Sequence, residues 1–509
     1  MMIDAGPSLR AAEGVSVPAL LTYLVAGGWI VRPSRVDGIS ILTRHVRGSD
    51  RPVELILPVK PGFPDESRRI ADALRTIAAI ERRPEASVAD EVRGNLGGAQ
   101  VGEAQTARQH GPRKSATLKT TAAFDRIGEE NAFAVLARAT TLAAQGRDIV
   151  NLGIGQPDFL TPAHIVEAAV KALRDGQHGY TPATGILPLR EAVAADLHRR
   201  FAVTVSPDEV MVVPGGKITM FMSILMFGEP GVDILYPDPG FPIYRSMIEF
   251  TGARPVPVPV REENGFAFSA DETLALIGPK ARLLILNSPA NPTGGVTPKS
   301  EVDTLVAGLE RFPDLAVMSD EIYDQLLYDG ETHVCLLGYP SIRDRLILLN
   351  GWSKTYAMTG WRLGYSVWPG KLYDYARKLA VNSYSCVNAA AQWAGLAALT
   401  GPQDAVATMA AEFDRRRHAV VAGLNRLPGV SCATPKGAFY AFPNIKRTGW
   451  KAKALASSLL EEAGVATIGG PDFGILGEGY LRLSYANSTE NILKALDRMG
   501  SFLASRKAA

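Results

Sequence analysis

The stretch LILLNGWSKTYAMTGWRLGY, residues 346–365, decides the fold. It begins with consecutive apolar residues, a pattern typical of a strand that is buried on both faces of a parallel sheet. The apolar run ends at Asn350, and Ser353, Lys354 and Arg362 follow among tryptophans and glycines. A buried cation without a partner is strongly destabilising. The stretch therefore predicts a site for a negatively charged ligand at the end of a buried strand, with a surface cluster as the alternative.

Helical patterns alternate with short apolar strands from about residue 122 onward. The predicted strands are Glu209–Val213, Val232–Tyr236, Leu283–Leu286, Ala316–Met318 and Leu346–Leu349. Strands separated by helix-length segments predict βαβ units and a mostly parallel sheet. After a helical stretch at 370–427, strands at Gly437–Phe442 and Tyr480–Ser484 indicate a mixed end. We therefore predict an α/β protein whose domain at 122–505 comprises a large part, about 165–395, and a smaller α+β part formed by an N-terminal arm and about 396–505.

Residues 1–94 predict a separate, small α+β unit. A helix in SVPALLTYLVAGGW would end at Gly27-Gly28, and an amphipathic helix would begin at Pro64, Asp65 and Glu66. Between them lie three strand-like stretches, Trp29–Val31, Ile39–Val46 and Val53–Pro58. Residues 95–121 are rich in Gly, Gln and Thr, which is typical of a flexible linker. The simplest interpretation of the first unit is an accessory or interaction module.

The composition restricts the function classes. A chain of 509 residues is long enough for two or three domains. Its 54 Lys and Arg balance 52 Asp and Glu, which argues against a protein built mainly to coat nucleic acid or an acidic membrane. Cys335, Cys386 and Cys432 stand singly, so we expect neither a disulfide framework nor a metal site. Lacking a signal-peptide pattern or an apolar run long enough to span a bilayer, the sequence predicts a cytoplasmic protein.

Polar residues follow each predicted strand, where ligands bind in open parallel sheets. PGGKITM, after Glu209–Val213, would place Gly216 and a helix N-terminus against a phosphate, or form a plain tight turn. NSPANPTGG offers Asn287 and Asn291 to a ligand oxygen or to Asx turns. SDEIYD ends a buried strand with an acidic pair, so that Asp320 needs a cationic partner unless it caps a helix.

These pieces together describe one ligand. The glycine loop, Ser353 and Arg362 suit a phosphate, and Asp320 suits a basic ring nitrogen. Lys354 suits a carbonyl carbon that its amine can attack. A molecule with all three features is pyridoxal 5′-phosphate (PLP), held as a Schiff base on the lysine.

The segment from about 122 to 505 resembles the class I and II aminotransferases of PLP fold type I. The matching motifs occur in the family's order: GIGQPDFLTP, YTPATGILPLREA, PGGKITM, DPGFPIY, NSPANPTGG, SDEIYD, GWSKTYAMTGWRLGY, PKGAFYAFP and YLRLSYA. The resemblance implies a homodimeric transaminase with a large PLP-binding domain and a smaller domain. It does not extend to residues 1–94, for which we identify no family.

The resemblance also assigns the residues around the cofactor ring. Lys354 would form the Schiff base and later carry the proton, and Asp320 would pair with the ring nitrogen. Tyr323 and Asn291 would hydrogen-bond the ring hydroxyl. Phe241 would stack on the ring, although simple core packing is its alternative.

A second group of residues would hold the phosphate. These are Ser353, Arg362 and the backbone of Gly216 and Lys217. Tyr180 in YTPATG would reach the phosphate of the neighbouring subunit, which places the active sites at a subunit interface; local packing is its alternative.

The substrate would be bound mainly by Arg482, through its α-carboxylate, with help from Asn291 and the backbone near Gly155. A solvated edge position is the alternative for Arg482. The sequence identifies no second cation for an acidic side chain, and Phe241 in GFPIY favours neutral amino acids while leaving acidic donors open.

The expected activity is transfer of an amino group from an amino acid to a 2-oxo acid, in two half-reactions. A C–S lyase or other eliminase on the same scaffold is one alternative. A transcriptional regulator with an aminotransferase-like sensor is another, because of the extra N-terminal unit. Residues 1–94 carry 13 Lys and Arg against 12 Asp and Glu, which is not the basic surface of a DNA-binding domain, so nucleic acid is not an expected partner. His333 and Cys335 near the predicted site are interpreted as structural.

Overall fold

The computed structural model describes residues 15–26, 29–33, 39–44, 53–58, 66–94 and 119–505. The chain divides into two compact units, Met1–Thr117 and Leu118–Ala509, which we describe separately. Three features predicted from the sequence lie outside the described residues: the Gly27-Gly28 helix end, the helix start at Pro64 and Asp65, and the linker up to residue 118.

In its described residues, the first unit combines three helices with a three-stranded antiparallel sheet of order β1-β2-β3. Its elements are α1 Val17–Ala26, β1 Ile30–Pro33, β2 Ile39–Arg44, β3 Val53–Pro58, α2 Glu66–Glu81 and α3 Glu85–Gly94. Leu20, Leu42, Leu57 and Leu74 are fully buried in one core. The sheet and the helices around it agree with the α+β character expected from the sequence.

Helix α3 is an addition to the predicted elements. Arg82 has φ 53°, a left-handed conformation that ends α2. The carbonyl of Pro84 then accepts the amides of Ser87 and Val88, so a new helix begins at once. Pro84 thus separates two helices, because proline is favourable at a helix start and unfavourable inside one.

The second unit is built around a seven-stranded sheet of order β5-β11-β10-β9-β8-β6-β7. The strands are β5 Val210–Val213, β6 Asp233–Asp238, β7 Arg254–Pro259, β8 Ala281–Asn287, β9 Ala316–Asp320, β10 Leu346–Gly351 and β11 Gly364–Val367. All neighbouring pairs are parallel except those of β11, which is antiparallel to both β10 and β5. The predicted mostly parallel sheet is confirmed.

The apolar strands are buried because helices cover both faces of the sheet. In β10, Leu346 and Leu348 pack into one core and Ile347 and Leu349 into the other. Successive side chains of a strand point to opposite faces, so a continuous apolar run needs an apolar partner on each side. The covering helices are α5 Ala163–Arg174, α6 Leu187–Phe201, α7 Lys217–Phe227, α8 Pro242–Thr251, α9 Ala270–Leu276, α10 Lys299–Leu309, α11 Gly370–Ser383 and α12 Ala389–Thr400.

Two strands of this sheet, β7 and β11, were not predicted from the sequence. Strand β7, RPVPVP, contains alternating prolines, which normally argue against a strand. It lies at the edge of the sheet, where one side of the strand needs no hydrogen-bond donors. Strand β11 is only four residues long and returns immediately after Arg362.

A smaller α+β region follows and also includes the first strand of the unit. It contains a sheet of order β12-β15-β14 and a parallel pair, β13 with β4. Its elements are α4 Asn131–Ala144, β4 Val150–Asn151, α13 Asp404–Leu424, β12 Tyr440–Ala441, α14 Ala452–Glu461, β13 Val465–Ala466, β14 Ile468–Gly469, β15 Leu481–Ser484 and α15 Thr489–Ser505. The domain boundaries proposed near residues 165 and 396 remain predictions.

Among the helices in the described ranges, none has the length and apolar character that crossing a bilayer requires. The carboxyl ends of strands β5, β8, β9 and β10 lie on the same side of the large sheet. The loops that follow these strand ends carry several side chains of the candidate site.

Candidate active site

A cleft of about 430 Å³ opens at the carboxyl ends of these strands. All of the predicted site residues except Tyr180 line it: Gly155, Gly216, Lys217, Phe241, Asn291, Asp320, Tyr323, Ser353, Lys354, Arg362 and Arg482. Tyr180 lies outside this lining and is 94% exposed. The fold thus brings together residues that are up to 327 positions apart, from Gly155 to Arg482, and their individual roles remain predictions.

Lys354 is buried at the centre of the cleft, directly after β10. Its Nζ donates a hydrogen bond to the carbonyl oxygen of Gly155 at 2.6 Å. Burial, and to a smaller extent the positive charges of Arg482 and Arg362, lower the pKa of this amine from 10.5 to about 8, against the opposing effect of Glu130. Near neutral pH the amine can therefore lose its proton far more readily than an exposed lysine.

Asp320 is the last residue of β9 and is buried. Its Oδ2 accepts a hydrogen bond from the Tyr244 hydroxyl at 2.5 Å, and its Oδ1 accepts one from the amide of Ile322 at 3.3 Å. Burial raises the pKa of the carboxyl to about 6 in spite of these donors. A cation beside the Asp320 carboxylate would offset the free-energy cost of burying its charge. Tyr244 was missed in the sequence analysis, although it stands in the same GFPIY motif as Phe241.

Arg482, in β15, is buried and faces the cleft. One guanidinium nitrogen, Nη1, donates to Asn291 Oδ1 at 3.2 Å, and Nη2 donates to the carbonyl of Gly153. Its Nε is buried and has no hydrogen-bond partner among the described residues. A buried guanidinium with an unused donor is suited to an anionic ligand, because such a group otherwise remains incompletely paired. The solvated edge position considered for Arg482 is therefore excluded.

Arg362 and Gly215 approach each other closely. Gly215 has φ +86°, and a Cβ atom added there would lie 2.8 Å from Cζ of Arg362 and nearer still to one of its nitrogens. Arg362 itself has φ 54°, which is uncommon for a residue with a side chain. Its Nη1 donates to the carbonyl of Thr359 at 2.8 Å. The glycine therefore allows the guanidinium to lie against the loop that precedes helix α7.

Tyr323 and Tyr440 close one wall of the cleft. Their hydroxyl oxygens lie 2.7 Å apart, and the Tyr440 ring lies 4.8 Å from Cζ of Arg482. A Cβ atom at Gly155 would lie 3.0 Å from Cζ of Tyr440 and closer to its hydroxyl. Glycine is required there because a larger residue would collide with the tyrosine. Tyr440 is a second site residue that the sequence analysis missed, although the PKGAFYAFP motif contains it.

Lys217 contributes a side chain as well as a backbone group. Its Nζ forms an ion pair with Glu130 Oε2 and lies 5.3 Å from the ring centroids of Phe133 and Phe241. Only the backbone of Lys217 entered the predicted site, and Glu130 was not considered. The cleft thus contains the additional cation that the sequence analysis did not find.

The charges of the lining show what kind of ligand fits. Its cationic residues are Lys217, Lys354, Arg362 and Arg482, and its acidic residues are Glu130 and Asp320. A partly buried site with an excess of cations is stable only with bound anions or lowered pKa values. A phosphate and a carboxylate would supply the missing negative charge, so the residues present fit PLP together with an amino acid.

His333 and Cys335 lie outside the cleft lining. The side chain of His333 is only 4% exposed, and its Nε2 lies 2.7 Å from Oε2 of Glu321. The other oxygen of Glu321 accepts from the Ser319 hydroxyl at 2.8 Å and from the amide of Leu336 at 3.1 Å. Such a satisfied buried network supports the structural interpretation of His333, and Cys335 is itself a buried core residue.

The comparison with known families settles the classification. The family model for aminotransferase class I and II matches residues 147–499. The chain belongs to this family. The resemblance and the fold predicted from the sequence motifs are confirmed, and the chain is an aminotransferase.

Curated relatives cover most of the second unit. The chain is 39% identical over 369 residues to an aspartate aminotransferase of Pyrococcus abyssi, and the aligned region covers 72% of this chain and 94% of the relative. It is 39% identical over 368 residues to aromatic-amino-acid aminotransferase 2 of Thermococcus litoralis, with the same coverage. The solved structure of Thermus thermophilus aspartate aminotransferase with maleate is 35% identical, has a TM-score of 0.71 and covers 75% of this chain and 99% of its own. These relatives favour transamination over the eliminase and regulator alternatives.

Proposed function

We propose that the protein binds PLP in this cleft and transfers the amino group of an amino acid to a 2-oxo acid. The observation that carries the proposal is the position of Lys354. It is a buried amine with a pKa near 8, in a cleft that also contains Asp320 and Arg482. When bound, PLP supplies an electron sink for the pair of electrons that remains when the α-proton of an amino acid leaves.

Lys354 would hold the cofactor covalently and then act as the proton carrier. A general base must be largely unprotonated at working pH and must lie within hydrogen-bond reach of the proton that it takes. The lowered pKa of Lys354 meets the first condition above about pH 8, where an exposed lysine would still be protonated. The carbonyl of Gly155, 2.6 Å from Nζ, can orient the amine.

Asp320 would pair with the cofactor's ring nitrogen and keep it protonated. An opposite charge within hydrogen-bond distance favours the ionised carboxylate and the protonated nitrogen together. The Tyr244 hydroxyl, 2.5 Å from Oδ2, supports this role because it orients the carboxylate and stabilises its charged form. Tyr323 and Asn291 would contact the ring hydroxyl, and Phe241 would stack on the ring.

The phosphate would lie at the N-terminus of α7. Ser353, Arg362 and the amides of Gly216 and Lys217 line this end of the cleft. Free amides at a helix N-terminus favour anions, and the guanidinium adds charge-assisted hydrogen bonds.

Arg482 would bind the α-carboxylate of the substrate, with Asn291 and the backbone near Gly155. Its contact with Asn291 at 3.2 Å fixes the guanidinium plane, and its unpartnered Nε leaves a donor for a ligand. A planar guanidinium matches a carboxylate in a bidentate pair.

We further propose a homodimer in a reducing compartment such as the cytoplasm. Leu160 and Tyr180 are more than 90% exposed in the single chain, and Leu160 lines a groove that shares Thr359, Gly360 and Arg362 with the cleft. A second subunit on this surface would bury Leu160 and let its Tyr180 approach the phosphate. The three cysteines are unpaired, as expected for reducing conditions.

Replacing Lys354 with alanine tests the proposal. We expect the Lys354→Ala protein to lose transamination and the visible absorbance of bound PLP. The exposed Lys371, on α11, provides the matched control: Lys371→Ala should keep both properties. Turnover near the wild-type rate in Lys354→Ala would refute the proposed mechanism.

A further inference from the structure

The ion pair between Glu130 and Lys217 belongs to the lining of the cleft that also contains Lys354. Both residues line the cleft, and the Glu130 carboxylate is the less accessible partner, with a side chain 16% exposed against 42% for Lys217. The Lys217 ammonium also lies 5.3 Å from the rings of Phe133 and Phe241. These contacts hold the ammonium between one carboxylate and two aromatic rings.

Lys217 is the cation of the lining whose side-chain charge the proposed function does not use. Lys354 holds the cofactor, Arg362 faces the phosphate and Arg482 faces the α-carboxylate. A substrate with a second carboxylate would need Lys217 as its partner. In the structure that partner is already neutralised by Glu130.

We propose that Glu130 determines the substrate preference by neutralising Lys217, so that the cleft favours amino acids with neutral side chains over those with a second carboxylate. This inference rests on the proposed function. An acidic side chain would have to displace Glu130 from Lys217 or lie beside the like charge of Glu130 while Lys217 is already paired, and both are unfavourable. A neutral side chain meets the apolar surfaces of Phe133, Ile154 and Phe241, which line the same cleft.

The field of Glu130 reaches the centre of the site. Its negative charge acts to raise the pKa of the Lys354 amine and that of the Tyr440 hydroxyl, although neither effect is the largest on its group. A second carboxylate on the substrate would therefore lie within the repulsive range of Glu130. Electrostatic complementarity of this kind acts mainly on specificity, through the penalty placed on the wrong partner.

The test compares Glu130→Gln with Glu129→Gln in the PLP-loaded protein. Glutamine keeps the size of Glu130 and removes its charge, whereas Glu129 is exposed and lies outside the cleft lining. The measurement is the rate of the first half-reaction with L-aspartate and with L-leucine, followed by the cofactor absorbance and without any oxo acid acceptor. We expect the aspartate-to-leucine ratio of kcat/KM to rise at least about tenfold in Glu130→Gln. The ratio should stay at the wild-type value in Glu129→Gln.

A binding measurement gives a second readout that does not depend on turnover. Calorimetric titration of the wild-type protein with maleate and with isovalerate, neither of which can react, should show tighter binding of the monocarboxylate. In Glu130→Gln the dissociation constant of maleate should fall at least about tenfold. The wild-type titration alone tests the inference if the variant does not fold.

The outcomes separate the inference from the proposed function. If leucine and aspartate both react and Glu130→Gln leaves their ratio unchanged, or if the wild-type protein prefers the dicarboxylates, the inference is wrong and transamination stands. If no amino acid changes the cofactor absorbance of the wild-type protein, the proposed function fails and the inference fails with it.

Discussion

The close approach of Gly215 and Arg362 makes Gly215→Ala a sensitive probe of the proposed phosphate site. The new methyl group would lie 2.8 Å from Cζ of Arg362 and closer to one of its nitrogens, so the guanidinium must move away. The backbone at this position, with φ +86°, is also unfavourable for alanine. The substitution therefore combines backbone strain with the displacement of one side chain.

These two effects can be separated in magnitude. Left-handed backbone strain for alanine is about 1–2 kcal/mol and should lower the stability of the apo-protein. A hydrogen bond to a charged group contributes about 1.5–3 kcal/mol, which corresponds to roughly a 10- to 150-fold change in dissociation constant. We therefore expect Gly215→Ala to weaken PLP binding by that factor, beyond any loss of stability.

Gly176→Ala is the matched control. Gly176 has φ +80°, nearly the same as Gly215, but a Cβ atom there meets no other atom within 4 Å. It should show the strain in thermal unfolding and leave the dissociation constant of PLP unchanged. Both quantities can be measured on apo-protein, the first by calorimetry and the second by titration with PLP.

The double variant completes the test. If Arg362 mediates the effect, Gly215→Ala should add little to Arg362→Ala, because residues that act through one contact are not additive. Equal affinity for PLP in Gly215→Ala and Gly176→Ala would refute the assignment of Arg362 to the phosphate.

Three further predictions concern charged residues of the cleft. Asp320→Asn should stabilise the apo-protein above pH 6 by up to about 3 kcal/mol, since burial raises the pKa of this carboxyl from 3.8 to about 6 at about 1.4 kcal/mol per unit, and the gain should fade as pH falls from 6 to 4. The variant should also bind PLP more weakly, and an unchanged affinity in a titration would contradict the pairing of Asp320 with the ring nitrogen. Acylation of Lys354 in apo-protein, followed by peptide mapping, should rise with a midpoint near pH 8, whereas a midpoint near 10.5 would show an unperturbed amine. Because the Lys354 amine binds fewer protons in the folded state than in the unfolded chain, the free energy of unfolding should rise from pH 8 to 10.5. Arg482→Ala should raise KM for all amino acids by a similar factor, and an unchanged KM in steady-state assays would reassign the residue.

Many residues of the cleft lining could be predicted because they stand in short motifs that follow predicted strands. Lys354 and Arg362 stand eight residues apart in one stretch, and Asp320 is the second residue after the apolar run Ala316–Met318. In a parallel sheet the ends of such runs meet at one edge, so sequence order is enough to bring them together. Strands β7 and β11 were missed because their sequences are not typical of strands. The alternating prolines of β7 are tolerated at the lateral edge of the sheet, and β11 is only four residues long.

The residues that were missed depend on contacts across long sequence separations. Glu130 and Lys217 are 87 residues apart, and Tyr323 and Tyr440 are 117 apart. No local pattern marks Glu130 as a partner of Lys217, because a glutamate near a helix start is ordinary for a solvated surface. Tyr244 was overlooked for a different reason: its neighbour Phe241 already accounted for the motif, and only the folded chain places its hydroxyl against Asp320.

The most direct test of the central claim is the covalent position of the cofactor. The protein would be loaded with PLP, reduced with borohydride, digested and mapped by mass spectrometry. We predict that the mass of the reduced cofactor is found on the peptide that contains Lys354. A cofactor mass on a different lysine, such as Lys217, or no label on a protein that binds PLP, would contradict the assignment of Lys354.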